Sequence, residues 1–390
     1  MSVRKRTWTN AKGESKEAWV VDYFDQGGKR RLKTFKRKKD ADAYHAKSAV
    51  EISDGVHTAD SQSKTVAEAA TLWITACEAR SLERSTIEAY RSHVEFHIKP
   101  FIGREKLSQL TAAKARAFED ALRLGEVPRS PAMIKKIIGS LGAVLADAQE
   151  RGLVARNVAR DLRCRRKQGV DRRAEKRQKG KLKVGLDIPT RQEIKAIVDA
   201  LQGRWRPVIL TTIFTGLRSS EVRGLRWADV DLKKAELHVR QRVDQYREFS
   251  APKSESGERT IPLPPIIVNT LREWRLACPK GPHDLVFPTG CGTPENHANV
   301  INRGLIPAQI AAGVVVDGKA KYTGLHSLRH FYASWCINSK ADGGLELSVK
   351  AAQARLGHST IVMTLDTYGH LFPRGDDGSE LAEAERSLLG

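Results

Sequence analysis

Between residues 163 and 183 the chain reads RCRRKQGVDRRAEKRQKGKLK, with many basic residues and almost no apolar ones. Such a stretch buries too little apolar surface to offset the entropy of ordering it, so it belongs to no core. Folding must therefore happen on either side of it, and residues 163–184 read as a basic linker between separately cored parts. A chain of 390 residues has material for two or three domains of ordinary size. The linker itself has two readings: a solvated connector, or a strip whose Arg165, Arg166 and Lys167 lie along phosphates.

Ahead of the linker, two patterns follow one another. AWVVDYF (18–24) and KRRLKTF (29–35) are strand-like runs flanking the turn signal Asp25-Gln26-Gly27-Gly28, which predicts a hairpin. KKDADAYHAKSAVEI (38–52) sets Ala41, Tyr44, Ala49 and Ile52 at helical spacing, for packing on that hairpin. Residues 1–62 thus form one small β-sheet-plus-helix unit, with Arg30, Arg31, Lys33, Lys36 and Arg37 on or beside the sheet. These cations either protect a strand edge from pairing with another chain or contact DNA, and the charge of the whole chain favours DNA. From 63 to 162 the pattern is helical. Capping-box signatures at Thr65-Val-Ala-Glu68 and Ser85-Thr-Ile-Glu88 open two helices, the second ended by Pro100 and Gly103. A later helix runs from Ser130-Pro131 to Gly152, carrying Ile134, Ile137, Ile138, Leu141 and Leu145. An all-helical domain of about four to five helices follows from this.

Residues 185–390 begin with a third capping box, Thr190-Arg-Gln-Glu193. WRPVILTTIFTG (205–216) reads as a buried helix stopped by Gly216, and Ser219-Ser220-Glu221 starts the next. Strand-like ELHVRQRV (236–243) and RTIPLP (259–264) come next, and the remainder is mainly helical. The fold class is multidomain and mainly α with small β-sheets: a sheet-plus-helix unit, an all-helical domain and an α+β domain.

Lysine and arginine number 67 against 46 acidic residues, a formal charge of +21 with pI near 9.9, so the expected partner is a polyanion, nucleic acid first. No apolar run approaches bilayer-spanning length and MSVRKRTWTN lacks a hydrophobic signal region, so a soluble, cytoplasmic protein is expected. The five cysteines are scattered, with no C-x-x-C pair, and are expected to be reduced thiols.

Five polar signals lie in the last part of the chain. In TGLRSSE (215–221), Arg218 falls between a glycine helix stop and a helix start, where backbone N–H groups and a guanidinium can share an anion; a plain surface arginine is the competing reading. Lys253, between the two strand-like runs, is either solubilising or, inside a cleft, a general acid. His326 and Arg329 share a helix face in LHSLRHFYASW, a pairing that suits a phosphate with a proton carrier. His326 and His330 also stand at i and i+4, the spacing of two metal ligands, but the Glu of H-E-x-x-H is missing. His358 follows the helix stop Leu-Gly, and Tyr368 comes ten residues later on a short helix; alone, such a tyrosine packs rather than reacts.

Arg218, Lys253, H-x-L-R-H at 326–330, L-G-H at 356–358 and Tyr368 stand in the order typical of tyrosine recombinases, and the chain resembles a phage-type integrase of that family. The resemblance covers nearly the whole chain: it implies an arm-binding domain at 1–62, a core-binding domain at 63–162 and a catalytic domain at 185–390. It further implies that Tyr368 attacks a DNA phosphodiester and forms a 3'-phosphotyrosyl link, integrating or excising a phage or mobile element. Arg218 and Arg329 would clamp the phosphate and His358 would donate a hydrogen bond to it; Lys253 would protonate the leaving 5' oxygen and His326 would assist proton transfer at the tyrosine. No metal or nucleotide cofactor is expected. Double-stranded attachment-site DNA and a homotetramer are the implied partners, with room for a directionality factor or a DNA-bending protein. The rivals are a type IB topoisomerase and a non-catalytic DNA-binding regulator of the same fold.

Overall fold

The computed structural model describes residues 2–9, 14–25, 27–53, 55, 57–162, 181–372 and 378–389. Most of the linker, with Arg165, Arg166 and Lys167, lies outside the described residues. The chain separates into two compact units, 1–166 and 167–390.

The first unit opens with three antiparallel strands, β1 (Ser2–Thr9), β2 (Ser15–Phe24) and β3 (Arg30–Phe35), in the order β1-β2-β3. The strand period of two puts Val21 and Tyr23 of β2 on one face, where Ala41 of helix α1 (Lys38–Ser53) covers them, with Trp19, Phe35 and Tyr44 around the rim. The sequence predicts only the β2-β3 hairpin. Strand β1 is exposed along nearly its whole length, so it lacks the apolar alternation that marks a strand, and it is recruited by main-chain pairing with β2.

Four long helical segments follow. Helix α2 (Val66–Ala79) starts in the expected capping box, Thr65 and Glu68 each satisfying the other's backbone N–H. Helix α3 (Arg84–His93) does not start at the expected one: Glu83 is its N-cap without a side-chain bond, and Glu88 accepts from Arg84 Nε at 3.2 Å instead of reaching back. Gly103 ends the helical run as expected, but Pro100 does not interrupt it. The axis continues through a π turn, Val94–Ile98, and Lys99–Ile102 to Gly103, the wider turn accommodating the N–H that proline lacks. Helices α4 (Ala112–Leu124) and α5 (Pro131–Glu150) complete a core built on Trp73, Ile98, Phe118, Ile137 and Leu141.

In the second unit the Thr190/Glu193 capping box opens α6 (Arg191–Ala200). Helix α7 (Trp205–Thr215) is buried on almost every side and is the hub of the largest core, where Ile209, Leu210 and Ile213 meet Leu237, Ile261, Leu271 and Leu328. Each such side chain contributes roughly 1.5–3 kcal/mol by leaving water. Helix α8 (Ser219–Gly224) precedes a sheet of β4 (Val230–Asp231), β5 (Glu236–Val239) and a later strand, while β6 (Arg242–Val243) and β7 (Phe249–Ser250) pair separately. That later strand, β8 (Arg259–Pro262), aligns Ile261 with Leu237. The single strand expected over 236–243 is thus broken: Gln241 turns to donate to the Gly224 carbonyl at 2.7 Å, and Arg242 passes over Gly224, where a Cβ would meet its backbone at 3.0 Å. Helices α9 (Pro265–Ala277), α10 (Ile306–Ala311), α11 (Leu325–Ile337), α12 (Val349–Leu356), α13 (Ile361–Tyr368) and α14 (Gly378–Leu389) fill the remainder, with a small β9–β10 hairpin (Val315–Val316, Lys319–Ala320) between α10 and α11. No helix among the described residues is long and apolar enough to cross a membrane.

Candidate active site

Two glycines set the floor of the site. Gly216 ends α7 at φ 61°, and a Cβ there would stand 2.3 Å from the Tyr332 ring. Gly357 ends α12 at φ 63°, and its Cβ would meet Arg259 and the Ser256 carbonyl oxygen at 2.9 Å. Both positions need the left-handed backbone and the missing side chain. The carbonyl oxygens at these two helix ends then converge on the arginines.

Arg329, on α11, is 2% exposed and donates to Gly216 O and to Leu356 O, each at 2.6 Å. A cation facing helix C-terminal carbonyls sits at the negative ends of two dipoles. Burial, then the nearby Arg218 charge, lowers its pKa to about 10, which leaves it charged at neutral pH. Arg218, the N-cap of α8, donates to the next carbonyl along, Gly357 O, at 2.9 Å and to Glu221 Oε1 at 2.8 Å. The guanidiniums therefore bracket one peptide segment, 356–357.

Glu221 anchors this cradle. It is 3% exposed and accepts from the Arg218 amide at 2.8 Å, while Arg259 NH1 and NH2 donate to its two oxygens at 3.2 and 2.8 Å. Burial alone would raise its pKa; the Arg259 guanidinium, and then Arg218, overcome that and hold it at about 2. A carboxylate so saturated by cations is a structural anion and no general base.

Tyr368 closes α13 and is 2% exposed, its hydroxyl 2.7 Å from His330 Nδ1. Burial, opposed by Arg329, pushes the phenol up to about 12, so it is protonated at neutral pH. The His358 ring lies parallel to it with centroids 6.3 Å apart, and His358 Nδ1 is 2.9 Å from Thr364 Oγ1. Burial first, then Arg329 and Arg218, lowers His358 to about 4, which makes it a neutral hydrogen-bonding group. His326 is exposed, its ring edge-on to His330 with centroids 4.5 Å apart; desolvation and the Arg329 and Arg218 charges lower its pKa. Lys253 is also exposed and lies beside the short turn Glu255–Gly257, whose Ser256 abuts Gly357.

Arg218, Arg329, His358 and Tyr368 are thus brought together, with His326 beside them and the Lys253 segment at the border. Sequence reasoning missed three groups here. The sequence marks Glu221 only as a helix start and Arg259 only as a strand residue, although a glutamate three residues after Arg218 is the spacing at which it can hold that arginine. For His330 the sequence offers only the i, i+4 spacing of a metal ligand; among the described residues no three His, Cys, Asp or Glu side chains group as a metal site. His370 Nε2 donates to Leu182 O at 2.7 Å, which ties the turn after Tyr368 to the end of the linker region.

The basic residues of the first unit are placed differently from one another. Arg30 shares Asp22 with Arg4, Arg31 pairs with Asp25 at 2.7 Å, Lys33 with Asp60, and Arg37 with Asp40 at 2.9 Å. Arg31 and Lys33 are half-buried and hold Asp25 and Asp60, whereas Arg30, Lys36 and Arg37 are exposed.

A model of the Phage integrase family matches residues 189–374. Over 388 residues and 90% of each chain, the sequence is 26% identical to the tyrosine recombinase XerC-like protein of Caldanaerobacter subterraneus subsp. tengcongensis. It is 25% identical over 380 residues, 93% of each chain, to the integrase of Mycobacterium phage L5. In fold it is similar to lambda integrase in a tetramer bound to a Holliday junction, with TM-score 0.55, 17% identity and coverage of 91% of this chain and 95% of that one.

Proposed function

The chain belongs to the phage integrase family of tyrosine recombinases, and from that premise we propose that Arg218, Lys253, His326, Arg329, His358 and Tyr368 are the residues with which it breaks and rejoins DNA strands. It is a site-specific recombinase, and its substrate is double-stranded DNA. The observation that carries the site assignment is the convergence of Arg218 and Arg329 on consecutive carbonyls, Gly357 O and Leu356 O, over a buried Tyr368.

Each guanidinium has five N–H donors, and the carbonyl and carboxylate contacts engage only part of that set, leaving donors for the nonbridging oxygens of a phosphodiester. Charge builds on those oxygens in the transition state, so preorganised cations act most strongly there, each worth on the order of 10²–10³ in rate. His358 adds a neutral donor. Tyr368 attacks phosphorus, the new O–P bond replacing the P–O5' bond, and Lys253 gives the departing 5' oxygen its proton. The phosphotyrosyl link keeps the bond energy for a 5' hydroxyl of another strand to reverse the step.

Residues 1–62 act as the arm-type DNA-binding domain, 63–162 as the core-binding domain, 163–184 as the linker and 185–390 as the catalytic domain. Strand exchange between two duplexes calls for a tetramer, the assembly in which lambda integrase was seen on a Holliday junction. The working compartment is the cytoplasm of a bacterial host.

Tyr368→Phe tests the assignment. The variant should bind DNA and form no SDS-resistant adduct on a nicked suicide duplex; persistent adducts would make another residue the nucleophile. Intermolecular joining of two marked duplexes separates recombination from topoisomerase activity.

A further inference from the structure

We propose that His330 is the base that takes the proton of the Tyr368 hydroxyl when the strand is cut. The proposal rests on the reading of Tyr368 as nucleophile, and it moves to His330 the role that sequence reasoning gave to His326.

The geometry is direct. His330 Nδ1 lies 2.7 Å from the phenol oxygen, whereas His326 is exposed and meets the His330 ring edge-on at 4.5 Å. The two imidazoles stand one turn apart on the same face of α11, and it is the later one that α13 packs against. A buried phenol at neutral pH donates its O–H, so His330 Nδ1 accepts and its proton sits on Nε2. The groups that bear on the ring are His326 and Arg329 from its own helix, Tyr368 from α13, and Asp187 from the segment before α6. Desolvation, then His326 and Arg329, lowers the His330 pKa to about 4, which keeps the base unprotonated and ready before DNA arrives. A bound phosphodiester adds negative charge at the arginines and raises the proton affinity of this imidazole at the moment it is needed.

The step balances. As the Tyr368 oxygen bonds to phosphorus, its proton passes to His330 Nδ1. The P–O5' bond breaks, its electron pair staying on O5', which takes a proton from Lys253. On rejoining, the incoming 5' hydroxyl returns a proton to the Lys253 amine, and the His330 imidazolium returns its proton to the departing tyrosine oxygen.

The experiment compares full-length wild type, His330→Asn, Lys253→Ala and Tyr368→Phe on two suicide duplexes, one normal and one with sulfur in place of the bridging 5' oxygen. An asparagine amide can stand near the Nδ1 position as a hydrogen-bond acceptor but cannot hold the proton. Adduct formation by His330→Asn should be slower by on the order of 10²-fold on both duplexes, and the acid limb of the wild-type pH profile should vanish. The Lys253→Ala defect should be relieved by the sulfur leaving group, which needs no acid. DNA affinity and thermal unfolding of His330→Asn should match wild type; if they do not, His330→Gln takes its place in the same comparison. A His330→Asn rate within about twofold of wild type overturns the proposal, since general-base loss is worth far more. So does rescue by sulfur, which would put His330 on the leaving-group side, and so does faster cleavage, which would make the bond a resting lock. Adducts from Tyr368→Phe would instead overturn the nucleophile assignment beneath it.

Discussion

Replacing Glu221 by glutamine removes one negative charge from beneath two arginines and should cost the second unit far more than a surface substitution does. Four hydrogen bonds end on this carboxylate, from the Arg218 amide and guanidinium and from both terminal nitrogens of Arg259. A glutamine oxygen keeps those on one side only, and its NH₂ group then faces N–H donors at contact distance. Losing two charge-assisted bonds at roughly 1.5–3 kcal/mol each gives about 3–6 kcal/mol. An independent route starts from the carboxyl itself: lowering from 4.5 to about 2 is worth about 3 kcal/mol at about 1.4 kcal/mol per tenfold in proton affinity. Arg259, with a side chain 5% exposed, is left as a buried cation lacking its counter-ion, a change usually costing about 3–5 kcal/mol. The expected loss is therefore about 3–5 kcal/mol, which lowers the urea midpoint by about 1–2 M for a unit of this size. The sign with pH follows from the depressed folded pKa. The carboxylate's contribution is complete above about pH 5 and is lost as pH falls toward 2, so wild type should weaken over that window and Glu221→Gln should lack that part of the decline. Hydrogen exchange on peptides from 190–370, followed through urea at pH 7 and pH 3.5, reads both effects on the intact chain. A midpoint shift below about 0.3 M, or identical acid sensitivity in the two proteins, would refute the claim that this ion cluster holds the cradle.

Gly357→Ala forces a Cβ onto a backbone at φ 63° against Ser256 O and Arg259; it should lose roughly 1–2 kcal/mol of stability, and adduct formation should fall more than melting does, because the Arg218 and Arg329 carbonyl anchors shift with the loop. Deleting residues 1–60 removes Asp60 and the exposed Arg30, Lys36 and Arg37 but keeps Ser63, which accepts from the Ser108 amide at 3.0 Å; cleavage of core-site suicide duplexes should survive and integration should not, as a two-site integration assay will show. Affinity for core-site DNA should fall steeply between 50 and 200 mM salt, by roughly 10³-fold if about six phosphates are neutralised; a flat salt response in a filter-binding titration would contradict phosphate contact.

The residues proposed for the chemistry stand out in the sequence because each carries a local signal: Arg218 between a glycine stop and a helix start, His326 and Arg329 one turn apart, His358 after Leu-Gly. What joins them was not. Glu221 and Arg259 are 38 residues apart, and nothing in a helix start or a strand announces that one will neutralise the other. The choice between His326 and His330 depends on where α13 docks, a tertiary fact that i, i+4 spacing leaves open. Strand β1 was missed because pairing through backbone bonds needs no apolar alternation, and Pro100 misled because a π turn removes the clash on which the proline rule rests. Arg30, Arg31, Lys33 and Arg37, read together as a basic cluster, each pair with an aspartate, and Arg31 and Lys33 are the half-buried ones, an arrangement that charge counting does not show.

A carbonyl oxygen cannot be mutated. Arg329 rests on those of Gly216 and Leu356, and Arg218 rests in part on that of Gly357, so much of the cradle is written in the path of the backbone. Leu356 is fully buried among Tyr332, Ile337 and Tyr368, so its side chain is set by packing, yet any apolar residue of similar size that keeps α12 in register presents the same oxygen to the same guanidinium. The two left-handed glycines and the arginines fix the cradle directly; its other members act through packing and backbone path, so the cradle is held as shape more than as a set of side-chain identities.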